Sequence, residues 1–317
     1  MGAVGSAAQT ANGPPAAKVS IGIPVYNGAQ FLAASLESLL AQTYEDIEFV
    51  ISDNGSTDGT EAICREFAAR DGRIRYLRAD TNRGASWNYR NVVQQTSGPY
   101  FKWATHDDLL APTYIERCVE VLDAAPAGVA LVYPRTRIID GDGNVVRDYD
   151  DNLDIRAKTP HERLRLLVGN IVMANASFGL IRRTALARSR LLDKFPSADY
   201  VMMAEFALFG EFWEIPEFLF FRREHEAMSR KANPSATEAA EWFEPGSSKN
   251  ATGREFWRLF VEHLRSIHHA RLDPVEKAKC YAGFLGVWTR RYRRAMVDEI
   301  FVGRQGRHRR STTPQGS

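Results

Sequence analysis

The stretch KVSIGIPVYNGAQFLAASLESLLAQTYEDIEFVISD, residues 18–53, decides the fold. It opens on a β-branched, apolar run, KVSIGIPVYN (18–27), that stops at a polar turn. FLAASLESLLAQ (31–42) then repeats its apolar residues at helical spacing, and IEFVISD (47–53) reads as a second buried strand. A strand, a helix and a strand in this order imply a parallel pair joined by a right-handed crossover.

The alternation continues outward. NGSTDGTEAICREFAAR (54–70) is a Gly/Ser/Asp loop running into a helix, with Ser56, Thr57 and Asp58 as capping residues at its entry. IRYLRA (74–79) is a third strand, ASWNYRNVVQQT (85–96) a helix and PYFKWAT (99–105) a fourth strand. The fold class is therefore α/β, with a Rossmann-like, mostly parallel central sheet flanked by helices. Such sheets bind ligands at the carboxyl ends of their strands. Polar residues mark each of those ends: Tyr26-Asn27, Asp53-Asn54, Asn82-Arg83 and His106-Asp107-Asp108. These ends should converge on one crevice.

The middle of the chain differs. VALVYPRTRIID (129–140), GDGN and VVRDY form a hairpin pattern, and HERLRLLVGNIV (161–172) is helical. SADYVMMAEFALFG (197–210) reads as a helix with Ser197 as its cap, and FWEIPEFLFFRREH (212–225) as an extended segment. From Arg254 onward the pattern is helical, with Asp273-Pro274 opening the last helix. The aromatic residues of FWRLF and GFLGVW are spaced for helix packing, as core or dimer contacts.

Composition bounds the function. The 317 residues are 44% hydrophobic and 25% charged, as in an ordinary globular protein. Cys64, Cys118 and Cys280 match neither a disulfide framework nor a zinc site, which favours a reducing compartment. No run is apolar for long enough to cross a bilayer, and MGAVGSAAQTANGPPAAK lacks the layout of a secretory signal. The expected location is cytoplasmic. Residues 249–317 carry 15 Lys and Arg against 6 Asp and Glu, whereas the rest carries 26 against 33. A basic end on an acidic body suggests an anionic partner, with a solvated helical face as the plain alternative. Contact through WTRRYRRAMVDEIF with the inner face of a membrane would follow from it. Nucleic acid is not an expected partner.

Asp107 and Asp108 carry the strongest chemical signal. Two adjacent carboxylates at the end of a buried strand are costly unless a cation neutralises them. Mg²⁺ or Mn²⁺, itself bound to a diphosphate, would do so. Asp108 as a cap for the turn LLAP and the helix TYIERCVEVL is the alternative that the residues leave open.

VSIGIPVYNG, VISDNGSTDGT, NRGASWNYRN and KWATHDDLLAP, in that order and spacing, resemble the nucleotide-sugar half of glycosyltransferase family 2. The likeness is strong over residues 18–115 and weaker to about 230. It implies a GT-A fold with a helical C-terminal extension. It divides the chain into a tail (1–17), a donor half (18–115), an acceptor half (116–235), a helical region (236–302) and a basic tail (303–317) expected to be disordered.

By that resemblance Pro24 and Tyr26 line the base pocket, and Asp53 accepts a hydrogen bond from a base N–H of uracil, thymine or guanine. Asn82, Gly84 and Asn88 would face the nucleotide. Thr105 stands where the family's first metal-site Asp usually stands, leaving Asp107 as the first metal ligand and Asp108 as the second. His225 would complete the metal shell or touch the diphosphate, with Arg222 and Arg223 flanking it as phosphate partners or as salt-bridge partners of Glu224 and Glu226. The family inverts the anomeric centre, and its base carboxylate maps onto Asp199, with Glu205 in reserve.

The implied activity is metal-assisted transfer of a sugar from a UDP-, GDP- or dTDP-sugar to a hydroxyl of a glycan, glycolipid or small-molecule acceptor. A homodimer is compatible with it. A non-catalytic nucleotide-sugar or glycan-binding module and a sugar nucleotidyltransferase stay open. VYNGAQ lacks the Gly/Arg-rich phosphate loop that the latter would carry.

Overall fold

The computed structural model describes residues 17–226, 228, 233–247 and 254–310. Of the expected tails, residues 1–16 and 311–317 lie outside these residues, whereas 303–310, expected to be disordered, are helical. Strands β1 (Val19–Val25), β2 (Ile47–Asp53), β3 (Ile74–Arg78) and β4 (Tyr100–Trp103) are parallel, in the order β3-β2-β1-β4. Helices α1 (Leu32–Leu40), α2 (Thr60–Arg70) and α3 (Ala85–Gln94) form the crossovers. All seven residues of β1 are buried, as the unbroken apolar run requires of a strand covered on both faces. Val25 lies beside Asp53, and Asp53 beside Arg78, so the carboxyl ends of β1, β2 and β3 are level.

The second half turns the sheet mixed. It comprises β5 (Leu109–Leu110), α4 (Tyr114–Ala124), β6 (Val129–Ile139), β7 (Val145–Tyr149), α5 (Pro160–Asn170), β8 (Leu180–Arg182), α6 (Arg183–Leu186), α7 (Ala198–Phe209) and β9 (Glu211–Arg223). The order continues β4-β8-β6-β9-β5, with β6 and β9 parallel and the other pairs antiparallel. Leu109 and Leu110, read from sequence as part of a turn, pair instead with Phe221 and Phe220 of β9. This short ladder draws the Asp107-Asp108 corner onto the end of β9.

Alternation along the strands feeds two cores, one on each face of the sheet. Ile21, Ile23, Phe49 and Ile51 pack under α1, α2 and α4. Val50, Phe101 and Trp103 point the other way, towards the core shared by α3, α5 and α7. Gly22 permits the close approach of α3, since a Cβ there would come within 2.6 Å of Val92.

The C-terminal region adds α8 (Ala236–Phe243), α9 (Glu255–His269) and α10 (Pro274–Arg310). Ser235 and Glu238 form a reciprocal capping box on α8. Asp273 caps α10 by accepting from the Val275 and Glu276 amides. That helix continues to Arg310, past the boundary expected near residue 302. Phe260, His263, Phe284 and Trp288 stack between α9 and α10 and join the core. Ser197 stands at the expected N-cap position of α7 but makes no side-chain cap hydrogen bond. Its backbone is left-handed (φ 63°), and its hydroxyl donates to Glu255 instead.

Candidate active site

A cleft of about 1050 Å³ opens at the carboxyl ends of the strands. Its walls come from the end of β1 (Tyr26, Asn27), the β4–β5 corner (Thr105–Asp108), the start of α7 (Asp199), the end of β9 (Arg222–His225) and α8.

The turn after β1 is set by side chains. Asn27 is left-handed (φ 50°), and its carboxamide oxygen accepts from the Thr57 amide. Gly28 leaves room for the His106 ring, because a Cβ there would lie 2.7 Å from it. Tyr26 projects from this turn with 39% of its surface exposed.

Asp107 and His225 face each other on one wall, Nε2 to Oδ2, at 3.1 Å. Burial works against ionisation of Asp107, but the hydrogen bond to His225 and the nearby His106 outweigh it and hold its carboxyl below the ordinary range. Asp108 is buried and pushed the other way, by desolvation and by the Asp107 charge. Its oxygens are already engaged: Thr105 donates to one at 2.5 Å and the Arg223 amide to the other at 2.9 Å. The Arg223 guanidinium stacks on Phe31 and donates to the carbonyls of Asp107, Asp140 and Gly141. Phe31 also packs on the His225 ring, with centroids 4.6 Å apart. Arg222 donates to Asn175, whose amide reaches buried Asp151. Glu224 bonds to Arg147 rather than to either arginine.

Among the described residues no three metal-type side chains converge. At the β4–β5 corner the facing pair is one carboxylate, Asp107, and one imidazole, His225. It fits a divalent cation that takes its remaining ligands from phosphate oxygens and water.

Asp199 stands in the first turn of α7, on the cleft wall. Glu205 does not reach the cleft. It is buried, accepts from the Arg190 side chain at 2.6 Å and amide at 2.7 Å, and from Ser266 at 2.9 Å.

The remaining predicted residues do not line the cleft. Pro24 is inside β1. Asp53 is fully buried and accepts from the Ser56 amide, Tyr76 and Arg78. Asn82 holds the loop by accepting from Asn54 and from the amide of Gly84, which is left-handed (φ 85°). Asn88 donates to the Val25 carbonyl. Tyr89, Trp103 and the aromatic end of α8 (Trp242, Phe243) line the cleft without having been singled out as site residues. The pairing of polar strand ends points to the crevice but not to residues whose orientation depends on helix rotation.

No helix among the described residues is long and apolar enough to cross a membrane. In α10, Arg291 is occupied by the carbonyls of Val168, Gly169 and Ile171, while Arg290, Arg293 and Arg294 are exposed.

Known proteins share this architecture. A model of glycosyl transferase family 2 matches residues 20–190. An uncharacterized glycosyltransferase of Rickettsia felis is 37% identical over 130 residues, which is 41% of this chain and 21% of that protein. The chain spans only 18% to 37% of the length of such relatives. Residues 1–349 of Staphylococcus aureus TarS in complex with UDP-GlcNAc superpose with a TM-score of 0.63 at 16% identity, covering 86% of this chain and 73% of that one. The mannosyltransferase PcManGT of Pyrobaculum calidifontis, in complex with GDP-Man and Mn²⁺, superposes with a TM-score of 0.50 at 15% identity, covering 95% and 89%. The family match takes in more than half of the chain and contains the Asp107-Asp108 corner and three of the level strand ends. The chain therefore belongs to glycosyl transferase family 2, and its fold is of the GT-A type.

Proposed function

We propose that the chain transfers a sugar from a nucleoside-diphosphate donor to an acceptor hydroxyl with inversion at the anomeric carbon. The observation that supports this reading is the placement of the Asp107–His225 pair and Asp199 on the walls of one cleft at the carboxyl ends of the sheet. The parts divide as residues 18–115 for the donor and 116–235 for the acceptor. Tyr26 offers a half-open ring for stacking on the base. Asp53, expected to accept from the base, is instead buried, where its carboxylate is held by Arg78, Tyr76 and the Ser56 amide and supports the end of β2. Asn82, Gly84 and Asn88 brace that side of the site.

Asp107 and His225 would hold Mn²⁺ or Mg²⁺, with Asp108 behind them fixing the corner. Held by these residues, such an ion would supply positive charge for the leaving diphosphate. Asp199 takes the proton of the acceptor hydroxyl as that oxygen forms its bond to the anomeric carbon and the bond from that carbon to the diphosphate breaks. The nucleotide sugars of the TarS and PcManGT complexes, and the Mn²⁺ of the latter, support the donor class and the metal. Acceptors that fit the open cleft are a glycan, a glycolipid or a smaller hydroxyl compound. The exposed Arg290, Arg293 and Arg294 favour work beside an anionic membrane surface on its cytoplasmic side.

Titrating UDP, GDP, dTDP and CDP with and without Mn²⁺, on wild type and Asp107→Ala, tests the reading. One diphosphate should bind at least about tenfold more tightly with metal, and Asp107→Ala should remove that gain. Absence of metal-dependent binding of any of them would overturn it.

A further inference from the structure

The NYRN segment of α3 places four consecutive polar side chains, and three of them are tied into the scaffold. Asn88 donates to the Val25 carbonyl at 3.1 Å, Arg90 to the Arg190 carbonyl at 2.7 Å and Asn91 to Ser52 at 2.9 Å. Tyr89 alone of the four lines the cleft. Its position is fixed from behind. The Trp103 indole donates to the Tyr89 carbonyl at 3.0 Å, and the two rings pack with centroids 6.4 Å apart.

The Tyr89 hydroxyl has no hydrogen-bond partner among the described residues. Besides burial, the charged groups that act on it are Asp107, Asp108 and Asp199 on one side of the balance and Arg222 on the other. Tyr89 and all four of these groups line the same cleft. Trp103, which packs on Tyr89, and the apolar Met202 and Phe178 line it as well. A sugar bridging Asp107 and Asp199 would lie in this cleft. Its ring hydroxyls lose water there and need a partner. A phenylalanine would fill the same volume and offer none.

We propose that the Tyr89 hydroxyl hydrogen-bonds a ring substituent of the transferred sugar and sets which nucleotide sugar the cleft accepts. This assignment rests on the donor-site reading above. A pocket that reads a hydroxyl with a buried polar group discriminates by loss of that bond, whereas an apolar floor tolerates most isosteres.

The test is a set of binding titrations in the presence of Mn²⁺ on wild type and Tyr89→Phe. The probes are UDP-glucose, UDP-galactose, UDP-N-acetylglucosamine and GDP-mannose, with UDP and GDP as references. Wild type should prefer one sugar, and Tyr89→Phe should weaken that one about tenfold and level the series, with UDP and GDP affinities unchanged within about twofold. Preference retained in Tyr89→Phe, equal weakening of the bare diphosphates, or no preference in wild type would each overturn the Tyr89 assignment alone. A wild type that binds neither the sugars nor the diphosphates overturns the donor-site reading with it.

Discussion

His225 Nε2 lies 3.1 Å from Asp107 Oδ2, although 118 residues separate them in the chain. The contact follows from the pairing of Leu109 and Leu110 with Phe221 and Phe220, which sets the end of β9 against the strand-end carboxylates. Arg223 locks the corner through its amide to Asp108 and its guanidinium to the Asp107 carbonyl. Phe31, between the Arg223 and His225 side chains, fixes the imidazole from the third side.

If this pair holds a metal with the diphosphate, His225→Ala should weaken Mn²⁺-dependent nucleotide binding by about 10- to 100-fold. Binding without metal should stay the same. Isothermal titration with the preferred diphosphate, with and without Mn²⁺, separates the two. Equal loss in both conditions would mean that His225 only packs the corner.

The parallel half of the sheet was legible because β1 and β2 are buried almost throughout and read as nearly continuous apolar runs, whereas the edge strand β3 exposes Arg75 and Arg78. The Asp107–His225 contact was legible only through family resemblance, since no local pattern links residues so far apart. The orientations of Asp53 and Glu205 were not legible. Each lies in a segment whose periodicity says which element it is in, but partners from elsewhere decide which way it faces: Arg78 and Tyr76 for Asp53, Arg190 and Ser266 for Glu205. Lys102 makes the same point. It is fully buried, rests 4.5 Å over the Tyr114 ring, and burial pulls its amine down to about 7, which nothing in KWAT announces.

Asp199 and Glu205 share α7 but should respond differently. Asp199→Asn keeps the shape of the cleft, so donor binding should persist while sugar transfer falls at least about 100-fold. Glu205→Ala leaves Arg190 facing Glu262 without its second carboxylate and should destabilise the fold by about 3 kcal/mol. Nucleotide titration and urea unfolding on both variants check this. Full transfer by Asp199→Asn would remove it as the base.

Asp151 supplies the pH prediction. It is buried, its Oδ1 has no partner among the described residues, and its Oδ2 accepts from Thr136 and Asn175. Burial outweighs these bonds and pushes its carboxyl up to about 7. Between about pH 4 and 7 the folded state therefore holds a proton that the unfolded state has released, and the contribution of this group to stability falls as pH rises through that window. Asp151→Asn cannot ionise and keeps an acceptor for Thr136. Groups common to both proteins cancel in the difference, so the variant's advantage in urea unfolding should grow by about 2–3 kcal/mol from pH 5 to pH 8. A flat difference would mean that the Arg222 charge, relayed across Asn175, already stabilises the ionised form. Because Asn175 accepts from Arg222 on the cleft wall, that result would tie the buried carboxylate to the charge balance of the site itself.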